Sequence, residues 1–127
     1  MEYVRKVDFE EFAKAGPNDR PSQALIGHGT GVDTCTINYI QTPIGGGSPF
    51  GLHTHLVDQI FYILKGTMNI EVEGKEYVCG PGSLIVFPKG VPHRNWNNGT
   101  EPSVHLAFNT PMPDPNVPFA YPYPPKE

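Results

Sequence analysis

The sequence predicts an all-β fold, a sandwich or barrel, on three observations. Short segments of alternating or continuous apolar character recur about every 8–12 residues. Glycine- and proline-bearing turn signals separate them, drawn from 14 Gly and 15 Pro in 127 residues. A helix-start signal is found in one short segment near the N-terminus.

That segment is Asp8-Phe9-Glu10-Glu11, a capping-box pattern with Asp8 at the cap and Glu11 three residues on. Phe9, Phe12 and Ala13 can share an apolar face, and Gly16-Pro17 stops the helix, which is expected over Phe9 to Ala15 and packed on the barrel. Ser22 to Ile26 reads as a short strand. The loop Gly27 to Gly31 has no phosphate-cradling glycine pattern, and its His28 reads as a solvated surface group. Thr34 to Gln41 alternates as a strand. A Gly-rich loop, Pro43 to Ser48, leads to Gln59 to Leu64, which is apolar on both faces like a strand covered on both sides. Thr67 to Glu73 sets Met68, Ile70 and Val72 against Asn69, Glu71 and Glu73. A tight turn at Glu73-Gly74 or Gly74-Lys75 returns the chain along Glu76 to Cys79. Strands follow over Ser83 to Phe87, Val91 to Trp96 and Ser103 to Asn109. From Pro111 to Glu127, seven of 17 residues are proline, so a helix or central strand is ruled out and an extended tail is expected. Phe119, Tyr121 and Tyr123 predict that this tail lies against the barrel or a partner subunit.

One domain is expected over 1–110, with the tail over 111–127, a size that buries roughly two-thirds of the unfolded chain's surface. The net charge is −4 without a basic run, which argues against nucleic acid. No apolar stretch approaches the roughly 20 residues of a membrane-spanning helix, and the N-terminus lacks a signal-peptide core. Two cysteines, Cys35 and Cys79, are too few for a disulfide scaffold; they read as free thiols and fit a cytoplasmic protein.

The chemistry concentrates between Gly47 and Asn97. Side chains of equal parity share one face of a strand, so a continuous strand would point His53, His55 and Gln59 the same way. Two imidazoles and an amide oxygen suit a divalent cation of intermediate softness. A third imidazole, His93, lies on the later strand. Asp58, of opposite parity, faces away. Glu71, Glu73 and Glu76 surround a hairpin on the solvent face and do not read as an acid/base pair. No Ser-His-acid ordering or reactive-cysteine signature occurs.

Two spacings carry a resemblance. Gly47, His53-x-His55, Gln59 and Gly66 resemble the first cupin motif, and Gly82, Pro88-x-Gly90, His93 and Asn97 resemble the second. The first departs at one place, where the family usually has Glu and this chain has Gln59. The resemblance implies a jelly-roll β-barrel of two packed sheets and one divalent transition metal (Fe, Mn, Ni or Zn) held by His53, His55, Gln59 and His93. Gln59 has a hydrogen-bonding role as its alternative, and Asn97 serves its turn. A homodimer is also implied.

With three neutral imidazoles and a neutral amide, a divalent ion keeps its full +2 charge, where Glu would leave +1. The site becomes a stronger Lewis acid that prefers anionic substrates. This favours isomerisation, ring opening or lyase chemistry on a small oxygen-rich metabolite, either a carboxylate or carbonyl compound or a sugar-like one. Small cupins that open unsaturated uronate rings are similar in having three His and one Gln, although their Gln can stand one residue further on. A metal-dependent dioxygenase is the alternative within the family, since neutral ligand sets also occur among cupin oxygenases. A metal- or ligand-binding sensor without turnover is the alternative outside enzymes. The cavity is expected inside the barrel, with Phe61 and Ile63 beyond Gln59 and with Phe87, Trp96 and Phe108 nearby. Tyr39, Tyr62, Arg94, Asn95 and His105 are the polar candidates for orienting substrate or moving a proton.

Overall fold

A computed structural model describes residues 1–49 and 51–125. Among the described residues, ten strands form two antiparallel five-stranded sheets. The first sheet contains β1 (Ser22–Ile26), β2 (Thr36–Thr42), β4 (Asp58–Lys65), β7 (Leu84–Phe87) and β9 (Ser103–Thr110), in the order β1-β2-β9-β4-β7. The second contains β3 (His53–Thr54), β5 (Met68–Val72), β6 (Lys75–Cys79), β8 (His93–Trp96) and β10 (Tyr121–Pro122), in the order β10-β3-β8-β5-β6. The two sheets make the jelly roll expected from the motifs.

The helix α1 spans Phe9–Ala13, shorter than the expected segment. The Asp8 side chain accepts from the Glu11 N–H at 3.2 Å. The reciprocal half of the capping box is absent, because the Asp8 N–H donates instead to Gln23 Oε1 at 2.8 Å. Only Phe12 of the expected apolar face is buried; its ring meets Tyr39 edge-on at 4.9 Å on the outside of β2. The β5–β6 hairpin turns at Glu73-Gly74, both with positive φ (51° and 77°), the backbone that a two-residue hairpin of right-handed twist requires.

Inward-facing side chains of both sheets build the core: Ile40, Phe61, Ile63, Ile85, Phe87 and Ala107 from the first, Met68 and Ile70 from the second. Cys79 packs on this cluster, and both cysteines are free thiols. His28 is exposed in its loop. Among the described residues, no helix is long and apolar enough to cross a membrane.

The Gly47–Gly66 stretch is not one continuous strand. The chain pairs in the second sheet at His53–Thr54 and enters the first at Asp58. Gln59 therefore reaches the interior from the sheet opposite the histidines, and the parity that links His53 to Gln59 across the gap is not what unites them. The first-motif glycine has a steric reason. Gly47 bridges to Trp96, and a Cβ there would collide with the Asn95 carbonyl and the Trp96 backbone.

Candidate metal centre

His53 and His93 pair directly across β3 and β8, and His55 follows where the chain leaves β3. The three rings lie with centroids 4.4–5.0 Å apart, and their ligand atoms all fall within 4.8 Å of one another. All three residues are buried.

Each ring is oriented by a backbone carbonyl at Nδ1: His53 by Gly51 at 2.8 Å, His55 by Phe119 at 2.8 Å, and His93 by Val91 at 2.9 Å. A carbonyl can only accept, so each Nδ1 carries the proton and each Nε2 presents a lone pair. Burial lowers the pKa of His55 and brings that of His93 to about 4, which keeps both rings neutral. His55 Nε2 is buried and has no protein partner among the described residues.

Gln59 completes the arrangement. Its Nε2 donates to Asn109 Oδ1 at 3.0 Å, and Asn109 Nδ2 donates to Thr36 Oγ1 at 3.0 Å. This relay turns Gln59 Oε1 toward His93 Nε2, 3.2 Å away. Both atoms are acceptors, so they have no proton to share. Ligand atoms bound at right angles to one ion at about 2.0–2.2 Å stand about 3 Å apart. The contact is thus unfavourable between bare groups and suited to two ligands of one cation. A lone pair without a partner on His55, three carbonyl-oriented imidazoles and a facing amide oxygen all fit a divalent transition metal.

Phe87 closes the floor of the centre. Its ring is fully buried and stacks on His93 at 4.0 Å with a 12° interplanar angle. Above lies a cavity of about 440 Å³. Beside His53, His55 and Gln59 its walls include Phe61, Asn38, Asn95, Asn109, Phe119 and Arg20. Among the described residues, no carboxylate lines it.

The expected polar residues divide. Asn95 lines the cavity; its Oδ1 accepts from Ser48 Oγ at 2.6 Å, and its Nδ2 has no partner among the described residues. His105 is fully buried on the same face of β9 as Ala107 and Asn109, with its ring 4.3 Å from that of Phe61. Three others lie outside. Tyr39 packs under α1, and Tyr62 is solvent-exposed on the outer face of β4. Arg94 faces outward, pairing with Glu71 at 2.8 Å and lying 4.4 Å over the ring of Trp96. Trp96 is thereby an outer-face residue. Phe108 also faces outward, in a groove shared with Ile37 and Tyr3. Asn97 serves its turn: Oδ1 accepts from the Gly99 N–H at 2.9 Å, and Nδ2 donates to the Thr42 and Glu101 carbonyls.

Arg20, Asn38 and Asn109 are cavity residues that motif spacing does not reveal. Asn109 could have been found from strand pairing, since it stands opposite Gln59 in the β4–β9 register. The tail also reaches the site. Tyr121–Pro122 pairs with β3, Pro118 to Ala120 line the cavity, and the Phe119 ring lies 4.4 Å from His55.

A family described as a cupin domain matches residues 39–108. Solved structures share the fold at low identity. The DMSP lyase DddQ from Ruegeria pomeroyi DSS-3 is 22% identical, with a TM-score of 0.67 over 85% of this chain and 53% of its own. This chain thus spans about half the length of that lyase. KdgF from Halomonas sp. is 19% identical, with a TM-score of 0.65 over 80% of this chain and 86% of its own. The polyketide cyclase RemF from Streptomyces resistomycificus is 23% identical, with a TM-score of 0.66 over 76% of this chain and 68% of its own. No curated protein sequence matches the chain.

Proposed function

The chain belongs to the cupin family, and from that premise we propose that it is a mononuclear divalent-metal enzyme. Its substrate class is a small oxygen-rich metabolite, transformed by Lewis-acid isomerisation, ring opening or elimination. The observation that carries this reading is the contact of Gln59 Oε1 with His93 Nε2, two lone pairs turned toward one another beside two further imidazoles. His53, His55, Gln59 and His93 would hold the ion, which when bound supplies an electron-withdrawing centre for a carbonyl or hydroxyl oxygen. Because all four ligands are neutral, the protein leaves the charge of the ion available to substrate.

The remaining walls bind and orient. Phe61 and Phe119 exclude water from the ligand side, and the unpartnered Asn95 Nδ2 offers a donor to a substrate oxygen. The absence of a carboxylate among the described lining residues favours Lewis-acid chemistry over paired-carboxylate catalysis. The lyase and cyclase named among the structural neighbours agree with this class without fixing the substrate.

The test is metal analysis of purified protein, reloading with Mn, Fe, Ni or Zn, and turnover of unsaturated uronates and 2-oxo acids with and without dioxygen. Metal-dependent product without oxygen uptake, abolished in a folded His53→Ala variant, supports the reading. Stoichiometric oxygen consumption would assign a dioxygenase instead. Tight ligand binding with no product would assign a sensor.

We also propose a homodimer. Tyr62, Leu64, Leu84 and Val86 are exposed apolar residues on the outer face of β4 and the edge strand β7. Light scattering of the purified protein reads this directly, and a monomer at micromolar concentration would refute it.

A further inference from the structure

We propose that Arg20 is the anion-recognition residue of this cavity. The ligand it selects is a small organic acid whose carboxylate meets the guanidinium while a second oxygen function meets the imidazole cluster. This rests on the metal reading above for the second contact only.

The chain has three arginines, and two are engaged away from the cavity. Arg5 donates to the carbonyls of Glu2, Leu25 and Thr30 and to the Thr30 hydroxyl. Arg94 faces outward, with its charge met by Glu71 at 2.8 Å and by Glu76 at 3.7 Å. Arg20 makes one hydrogen bond, a long one from Nε to Thr42 Oγ1 at 3.4 Å, and its two terminal nitrogens have no acceptor among the described residues. Its neighbour Asp19 does not serve it; that carboxylate accepts from the Gly16 N–H at 2.7 Å.

Arg20 is exposed, yet it lines the cavity with Asn38, Ile40, His53, His55 and Gln59. Its charge is felt inside the barrel, where it helps to lower the pKa of buried His105. A planar fork of donors matches a carboxylate in two parallel bonds. The surrounding walls, Ile40, Phe61 and Ala107, compete for none of those donors. With no acid in the described lining, Arg20 and a bound cation leave the cavity positive at two places. A diacid or oxo acid matches both, and a neutral sugar matches only one.

The test is calorimetric titration of the zinc-loaded protein with malonate, succinate, glutarate and adipate, each against its monoamide. At least one diacid is expected to bind about tenfold tighter than its monoamide, the size of one charge-assisted contact. Arg20→Gln should erase that preference while zinc content is unchanged. Arg20→Lys, which keeps the charge and loses the fork, should retain part of it. Indistinguishable titrations of wild type and Arg20→Gln, including no binding of any diacid, would overturn the proposal. A protein that takes no zinc sinks the metal reading instead, and the same comparison is then made on the metal-free protein.

Discussion

The amide of Gln59 has two ends of similar size and opposite hydrogen-bonding character, and Asn109 decides which end faces the imidazoles. Asn109→Leu removes that control. Zinc affinity measured by competition with a chelator should then fall about 10–100-fold, the usual cost of losing a partner that orients a ligand. Unchanged affinity would show that Gln59 is held otherwise or does not ligate. His105 offers a second case. Burial, with the Arg20 charge behind it, lowers its pKa from 6.5 to about 3. The folded protein therefore resists protonation down to about pH 3, while the unfolded chain takes the proton near 6.5. The unfolded state binds more protons in that window, so stability falls as pH drops through it. His105→Leu should flatten this part of the thermal-denaturation profile, and at neutral pH it removes two buried nitrogens that have no protein partner among the described residues. An unchanged acid slope would place the titration elsewhere. At this scale the three histidines and Gln59 were legible in the sequence, because the motif spacing marks their side-chain types. Asn109 was not, since it gains its role from a partner 50 residues away. Arg20 was not either, for it stands outside both motifs and acts through the space it borders.

Among the elements, the tail does more than cover. Its carbonyl at Phe119 orients His55, and Tyr121–Pro122 adds a strand to β3, itself only two residues long. Ending the chain after Val117 removes both. The truncated protein should keep its far-ultraviolet β signature and lose about tenfold or more in zinc affinity, since His55 forfeits its orienting partner. Equal affinity in the two forms would show that the tail only shields the cavity. The eight longer strands were readable to within one or two residues from alternation and turn residues, as at Ser22–Ile26, whereas the two-residue strands β3 and β10 were not. The break between His53 and Gln59 was not, because parity counts along one strand and cannot register that the chain changes sheets. Nor could apolar patterning foresee that the inward face of β9 is the polar one, with Ser103, His105 and Asn109 buried and Phe108 turned out.

For the whole molecule, the apolar core and the polar centre divide the barrel between them, with Phe87 as their shared boundary. The core holds the sheets together by area and the centre by specific groups. His53 and His93 belong to one sheet and Gln59 to the other. A cation there would act as a rivet through both walls. Free metal at a thousandfold over its dissociation constant would add about 4 kcal/mol against unfolding. Chelation should therefore lower the melting temperature and release slow-exchanging amides of β4 and β8 together. Loss of protection in only one of those strands would mean the rivet passes through a single wall.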